Sequence, residues 1–327
     1  MKENNDSETV ASRGERRKPG WERELLERLA FATLTEQRRS RRWGIFFKLF
    51  FAIYFLVMLF LLAGGSFGTH GLASRYTALI ELDGAISDDS LASADNVIAG
   101  LRGAFEDTST VGVIVRANSP GGSPVQAAYI YDEIKRLRAK YPKTPLYAVV
   151  TDMCASGCYY ALSAADKIYA DRASVVGSIG VLMNGFGFVD TMKKFGVERR
   201  LLTAGEHKGF LDPFSPMSAF DRKHAQEILN RVHQQFIERV RAARGQQLKE
   251  TKEMFSGLFW TGEEAQKLGL IDDFGSASYV AREVIGAEDI VDYTQHEGVF
   301  DRVARRIGTT MAQTLSSELL ARTPTLR

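Results

Sequence analysis

Three side chains that could act as nucleophiles lie within five residues of one another: Cys154, Ser156 and Cys158. Ser156 comes shortly after the apolar run Leu146–Val150 and directly before Gly157, where a helix is predicted to begin. A serine at that junction sits beside free backbone N–H groups and the positive end of the helix dipole, which together stabilise a developing oxyanion. The position therefore suits a catalytic serine, and a serine that only caps the helix is the alternative.

A glycine-containing loop, Ser119-Pro120-Gly121-Gly122, follows the short apolar strand predicted over Val111–Val115. Paired glycines let the backbone approach a ligand closely and direct an N–H group at it. If the loop and Ser156 end neighbouring strands, Gly121 or Gly122 supplies one oxyanion donor and Gly157 supplies the other. A plain tight turn is the alternative interpretation.

The group that would activate Ser156 is not determined by local spacing. Ser156 does not stand in a Gly-x-Ser-x-Gly motif, which disfavours an α/β-hydrolase, and the chain has no Ser-x-x-Lys motif, which disfavours a β-lactamase type. Of the histidines, only His207 lies in a glycine-flanked loop, and its neighbour is Lys208. A desolvated lysine can lose its proton near neutral pH and act as a base, in which case activity rises with pH. Spacing alone leaves His207 and Lys208 as alternatives.

The elements that must position these residues alternate between strands and helices. Apolar strands are predicted over 78–82, 111–115 and 146–150, and helical periodicity over 91–105 and 124–140 separates them. Alternation at this spacing implies βαβ crossovers and parallel pairing, so the predicted fold class is α/β.

Two further helices are predicted from their capping residues. Ser218 with Asp221 begins a long amphipathic helix that Gly245 ends, and Thr261 begins a short helix that stops at Gly269.

A strongly apolar segment precedes the α/β pattern. Fifteen apolar residues run unbroken over Leu49–Ala63, and a helix over 45–68 would be roughly 36 Å long against a bilayer core of about 30 Å. Four arginines lie directly upstream, so the positive-inside rule places the preceding residues in the cytoplasm and those after about residue 70 outside. They are Arg38, Arg39, Arg41 and Arg42. We predict an uncleaved, single-pass anchor rather than a removed signal peptide.

Composition narrows the function classes. A net charge of +2 gives no reason to expect a nucleic-acid partner, and two cysteines without a Cys/His cluster suggest neither a disulfide framework nor zinc. We predict no metal or cofactor. The predicted organisation is a polar cytoplasmic region over 1–43, the anchor over 44–68, a catalytic domain over 69–295 and an amphipathic tail over 296–327.

An ordered set of motifs resembles the signal peptide peptidase A family of membrane-bound serine proteases over residues 76–289. The motifs are RANSPGGS at 116–123, ASGCYY at 155–160, AADKI at 164–168, VGSIGV at 176–181, AGEHKG at 204–209 and WTGEEAQKLGLID at 260–272. The resemblance implies a fold similar to crotonases and to ClpP, a spiral of ββα units, preceded here by the transmembrane helix.

The resemblance also implies a role for each candidate residue. Ser156 corresponds to the nucleophile, Lys208 to the general base and Ser178 to a serine that hydrogen-bonds the lysine, while Gly121 and Gly122 correspond to the oxyanion loop. In short members of the family the dyad is completed between subunits of a dome-shaped ring of eight.

The expected partners follow from the same resemblance. They are copies of this chain, the lipid bilayer and apolar peptides such as remnant signal peptides. The catalytic domain would lie on the outer side of a bacterial cytoplasmic membrane.

The two cysteines depart from the family, which usually has alanine or glycine at Cys154 and Cys158. We expect both to be small packing residues, because positions i and i+4 of a helix lie about 6 Å apart and make a disulfide geometrically marginal.

Three other functions are alternatives to a Ser/Lys protease. They are a binding scaffold of the same fold, a crotonase-type CoA enzyme, and a thiol protease centred on either cysteine.

Overall fold

The computed structural model describes residue 39 and residues 41–58 and 75–296, which fall into two compact units, Met1–Thr69 and His70–Arg327. In the first unit residues 41–58 are helical (α1) with exposed apolar side chains. None of the helices in the described ranges combines the length and the apolar character needed to cross a bilayer. Residues 59–68 of the predicted anchor lie outside the described residues, as do nearly all of 1–43 and of the predicted tail.

The second unit is built on a mixed eight-stranded sheet. Its path runs β6-β5-β3-β2-β1-β8, with β4 pairing to β3 and β7 pairing to β4. Within the described sheet every named pair is parallel except β5 with β6. The strands are β1 (Tyr76–Asp83), β2 (Thr110–Ser119), β3 (Leu146–Ala155), β4 (Lys167–Ala170), β5 (Val175–Gly177), β6 (Phe259–Thr261), β7 (Asp273–Phe274) and β8 (Ile290–Asp292).

Helices connect the strands, and side chains cap the N-termini of α2, α3, α6, α7 and α8. The Ser123 hydroxyl caps α3 with Pro124 at the first helical position, and the predicted capping boxes open α6 at Ser218 and α7 at Thr261. The helices are α2 (Ala94–Glu106), α3 (Pro124–Lys140), α4 (Gly157–Leu162), α5 (Val189–Lys194), α6 (Ala219–Arg244), α7 (Gly262–Leu268) and α8 (Ala277–Tyr279), which continues into a π-helical segment over Val280–Ile285.

Both faces of the central strands are buried, and successive residues alternate between two apolar clusters. Ile80 and Val113 belong to the cluster that includes residues of α2 and α3. Leu79 and Ile114 belong to the cluster that contains Val280 and neighbouring residues after α8. Helices on both faces of a largely parallel sheet confirm the predicted α/β class.

The carboxyl ends of β2, β3 and β5 meet at one edge of the sheet. Ser119 of β2 pairs with Cys154 of β3, and Ala155 of β3 pairs with Gly177 of β5. Because the three strands are parallel, the residues that follow them emerge side by side. The loops that carry Gly121, Ser156 and Ser178 therefore start from this edge.

Candidate active site

Ser156 forms the whole connection between β3 and α4. Its φ of 53° and ψ of −122° match the first central position of a type II′ turn, which favours glycine and is sparsely populated by other residues. The backbone is held on both sides: the Ser156 N–H donates to the Gly177 carbonyl at 2.8 Å, and the Tyr160 N–H donates to the Ser156 carbonyl at 2.9 Å. These hydrogen bonds hold Ser156 in a backbone conformation that is about 1–3 kcal/mol less favourable than an ordinary one for a residue other than glycine.

The Ser156 hydroxyl does not cap α4, although the residue occupies the cap position. The described part of the chain supplies no hydrogen-bond partner for it, and the side chain lines a cleft. The alternative that Ser156 is only a helix cap is therefore wrong in this structure. A strained turn that directs an unpaired serine hydroxyl into a cleft is an arrangement typical of a nucleophile.

The glycine loop packs directly against the Ser156 turn. A Cβ on Gly121 would lie 2.5 Å from the Gly157 nitrogen, and a Cβ on Gly122 would lie 2.1 Å from the Ile86 carbonyl oxygen. Both residues also have positive φ, 93° and 152°. Only glycine fits at either position, so the loop is more than a plain turn.

Two backbone N–H groups at this contact are free for a ligand. The Gly121 N–H is already donated to the Ser119 hydroxyl at 3.1 Å. The N–H groups of Gly122 and Gly157 donate no hydrogen bond to any described residue, and both residues line the cleft. Gly122 and Gly157 are therefore better placed than Gly121 as oxyanion donors.

Ser178 lies beside Ser156 because Ala155 and Gly177 are register partners. Its φ is 52°, its N–H donates to the Leu258 carbonyl at 2.8 Å, and its hydroxyl lies 3.4 Å from the Gly257 carbonyl. Ser178 also lines the cleft. The structure thus brings Ser156, Ser178, Gly122 and Gly157 together around one cleft.

The cleft has a volume of about 860 Å³ and largely apolar walls. Val125 and Tyr129, one turn apart on α3, are 54% and 56% exposed, and Leu182 is 82% exposed, so their side chains are open to a ligand. Phe236 of α6 forms part of another wall. An extended peptide with apolar side chains matches such a surface.

Two titratable side chains of the cleft, Asp132 and His233, were not predicted. Asp132 forms an ion pair with Arg239 at 2.7 Å. The His233 Nε2 lies 3.1 Å from the Ile179 carbonyl oxygen, which can only accept, so Nε2 carries the hydrogen and is not a free base. His233 lies on α6, which reaches the cleft only through tertiary packing, and no local sequence signal marks it.

Lys208 and His207 lie away from this cleft. Lys208 is exposed in a turn in which its N–H donates to the Gly205 carbonyl at 3.1 Å, and it is not among the residues that line the cleft. The His207 ring stacks on Phe220 with centroids 4.0 Å apart. Neither candidate base of the described chain therefore faces Ser156 within the cleft.

The prediction that Cys154 and Cys158 are only small packing residues is wrong, because the two cysteines form a disulfide. Their Cα atoms are 5.2 Å apart, within the range that a disulfide spans. The expectation assumed a regular helix through both residues, whereas Cys154 ends a strand, the chain turns sharply at Ser156, and the helix begins at Gly157. Since neither sulfur is a free thiol, the structure also argues against a thiol protease.

No group of three or more His, Cys, Asp or Glu side chains among the described residues is placed to hold a metal ion. Burial raises the pKa of the Tyr160 phenol, so this cleft residue stays neutral at physiological pH.

The part of the chain that holds this cleft resembles known peptidases. Residues 138–289, which include Ser156, Ser178 and Lys208, match the sequence profile of Peptidase family S49. The protein of Brucella melitensis named Na(+)/H(+) antiporter NhaA is 43% identical over 197 residues, which are 60% of this chain and 26% of that relative.

Two relatives carry protease names. Protease 4 of Haemophilus influenzae is 32% identical over 230 residues, 68% of this chain and 36% of the relative. A protein of Methanocaldococcus jannaschii named as a protease is 30% identical over 202 residues, 60% of this chain and 64% of the relative.

The matches span between 26% and 64% of the length of these three relatives. This chain matches only about a quarter of the protein that carries the antiporter name, so the name is not carried over to this chain. The profile match and the protease relatives agree with the ordered motifs of the signal peptide peptidase A type. Residues 138–289, a little under half of the chain, therefore match Peptidase family S49, and the relatives with protease names agree with that match.

Proposed function

We propose that this chain is a membrane-bound serine endopeptidase that cleaves apolar peptides, with Ser156 as nucleophile and Lys208 as general base. The observation that carries the proposal is the Ser156 turn. Its unpaired hydroxyl enters an apolar cleft beside the free N–H groups of Gly122 and Gly157. A nucleophile and two oxyanion donors in one cleft suit acyl transfer to water.

The reaction would proceed in two stages. Neutral Lys208 accepts the Ser156 hydroxyl proton as the oxygen attacks the peptide carbonyl, and the N–H groups of Gly122 and Gly157 hold the resulting oxyanion. The protonated lysine then donates to the leaving amine, which leaves an acyl group on Ser156. Water, activated by the same lysine, hydrolyses that ester and restores the enzyme.

Lys208 would act on Ser156 of a neighbouring copy. Three observations support this: Lys208 is exposed, it does not line the cleft of its own chain, and the segment around it carries exposed apolar side chains. These are Leu182, Met183, Phe186, Phe188, Phe195, Val197, Leu201 and Leu202. Apolar surface of this extent favours burial against another protein, and a lysine enclosed there loses water, which favours its neutral form.

The assembly and the location are proposals of the same kind. Family resemblance supports a spiral of ββα units, a dome-shaped ring of eight and a Ser178 that positions the lysine. The apolar run Leu49–Ala63 behind four arginines supports a single-pass anchor over 44–68, with the catalytic domain outside the cytoplasmic membrane. An apolar cleft beside a membrane suits the apolar segments of cleaved signal peptides as substrates.

A mixing experiment tests the shared dyad. Ser156→Ala and Lys208→Ala proteins are each expected to be inactive against an apolar fluorogenic peptide. When the two are unfolded and reassembled together at equal concentration, a site at a head-to-tail interface is intact in about one quarter of cases, and that share of activity returns.

The controls decide between the alternatives. A dyad within one chain would leave the mixture inactive, and activity in either single variant would exclude that residue from the mechanism. A binding scaffold of the same fold would show no hydrolysis in any preparation and no reaction of Ser156 with a fluorophosphonate.

A further inference from the structure

We propose that the Cys154–Cys158 disulfide positions the Ser156 turn for catalysis, so that the oxidised protein is the active form. The inference rests on the proposed role of Ser156 as nucleophile. It assigns to the two cysteines a function that the family motifs do not include.

The disulfide encloses the turn that it would position. Cys154 lies at the end of β3 and Cys158 in the first turn of α4, with Ser156 midway between them. Both cysteine side chains are fully buried. The bond therefore closes a five-residue ring around the one connection that sets where the Ser156 hydroxyl and the Gly157 N–H point.

The sheet side of this ring is held by a paired strand on each side. Cys154 pairs with Ser119 of β2 on one side and with Val176 of β5 on the other. Cys158, by contrast, belongs to a helix of six residues that starts at Gly157. We therefore expect a change in the distance between the two sulfurs to move the start of α4 rather than β3.

Breaking the bond changes that separation in a crowded place. Bonded sulfurs are about 2.05 Å apart, whereas unbonded heavy atoms pack at about 3.5 Å or more. A Cβ on Gly157 would lie 3.1 Å from the Gly122 nitrogen and 3.5 Å from the Ala127 Cβ, so little free space surrounds the turn. Two thiols would displace Gly157 and rotate its N–H away from the oxyanion position.

The chemistry needs a dithiol as the reducing partner. The dithiol transfers two electrons and two protons to the sulfur–sulfur bond, which gives two cysteine thiols, while the dithiol itself becomes a disulfide. The reverse exchange with a small disulfide oxidant restores the bond. Because both sulfurs are buried, either exchange requires a transient opening of the turn.

The test compares three preparations of the full chain in detergent. One is wild type purified under dithiothreitol, one is the same protein reoxidised with glutathione disulfide, and one is the double variant Cys154→Ala/Cys158→Ala. Alkylation under denaturing conditions followed by mass spectrometry counts the thiols in each. The readouts are the rate of fluorophosphonate labelling at Ser156 and the separate kcat and KM for an apolar peptide.

The oxidised protein is expected to label and turn over at least about tenfold faster than the reduced wild-type protein, because a misplacement near 1 Å can reduce the rate by up to 100-fold. KM should stay within about twofold, since the cleft walls are unchanged. Reductant should have no effect on the double variant. If that variant does not fold, the reduced and reoxidised wild-type proteins still give the comparison.

Three results would overturn the inference. One is equal labelling rates in the oxidised and reduced proteins, another is faster labelling of the reduced protein, and the third is two free thiols after reoxidation. Each of them leaves Ser156 as the nucleophile. Absence of labelling at Ser156 in every preparation would instead overturn the proposed function, and the inference with it.

Discussion

Ser156 and Ser178 follow register partners, Ala155 of β3 and Gly177 of β5, and both have positive φ, 53° and 52°. The Ser156 N–H also donates to the Gly177 carbonyl at 2.8 Å. Two parallel strands thus end in equivalent strained turns that expose a serine each at the same cleft. The proposed nucleophile and the serine proposed to position its base therefore both follow paired strands of the same sheet.

Because the backbone at Ser156 has a positive φ, we expect glycine to suit the turn better than other residues, although only serine supplies the proposed nucleophile. In urea denaturation the free energy of unfolding of Ser156→Gly should exceed that of Ser156→Ala by about 1 kcal/mol. Glycine adopts this φ without strain, and this gain outweighs the greater entropy of glycine in the unfolded chain. Both variants should be inactive. At Ser163, where φ is −57°, the same pair should show no advantage for glycine. Equal stability of the two Ser156 variants would mean that the turn is not strained.

The glycine loop predicts a steric loss of activity. Gly122→Ala should lower kcat by about 100-fold or more, because its Cβ meets the Ile86 carbonyl oxygen at 2.1 Å and displaces an oxyanion donor. Gly44→Ala in α1 is the control, since a Cβ there meets no atom within 4 Å. Circular dichroism checks that both proteins fold. Full activity of a folded Gly122→Ala protein would exclude this N–H from the oxyanion site.

A buried arginine predicts a large loss of stability. Arg244 is 2% exposed, donates to the Asp272 carboxylate at 2.8 Å and to the Gly269 carbonyl at 3.0 and 3.1 Å. Arg244→Met would leave the partly buried Asp272 carboxylate without its arginine partner. We therefore expect the free energy of unfolding, measured with urea, to fall by about 3–5 kcal/mol. Arg241→Met removes an exposed pair with Glu250 and should lose less than about 1 kcal/mol. Similar losses in the two variants would contradict this account of the network.

Glu133 predicts how stability changes in acid. Hydrogen bonds from Arg136 and from Arg102 hold the pKa of the buried Glu133 carboxyl at about 2, below its ordinary 4.5. The unfolded chain therefore takes up a proton before the folded chain does. The stabilisation is complete above about pH 4.5 and is lost as pH falls towards 2.

Glu133→Gln should therefore be less stable at pH 7 by about 2 kcal/mol, a value reduced because both arginines are half-exposed. The difference from wild type should vanish near pH 2 in urea titrations. Glu263→Gln, at an exposed pair with Lys267, is the control and should change little. A difference that is constant with pH would show that the carboxylate charge is not responsible.

The sequence was sufficient for the parts of the site that local chemistry determines. Apolar periodicity predicted the parallel strands, the capping residues Ser218 and Thr261 marked two helices, and the position of Ser156 between a strand and a helix was also predicted. The strands β4 and β7, of four and two residues, were missed because so few residues carry no periodicity. Their pairing is set by the sheet rather than by their own sequence.

Long-range packing accounts for what the sequence did not predict. His233 and Phe236 reach the cleft only because α6 packs against the sheet, and no local pattern encodes that contact. The disulfide was misjudged because spacing in a regular helix was applied to residues on either side of a turn. The proposed relation of Lys208 to Ser156 rests on the family resemblance, since no contact among the described residues joins them.

The central claim is that Ser156 is a nucleophile activated by Lys208. The most direct measurement is mass spectrometry of the oxidised full chain after reaction with a fluorophosphonate, with Ser156→Ala and Lys208→Ala proteins treated in parallel. The account predicts a single adduct on Ser156 of the wild-type protein and labelling reduced by at least about 100-fold in the Lys208→Ala protein. An adduct on another residue, or undiminished labelling of Ser156 without Lys208, would contradict it.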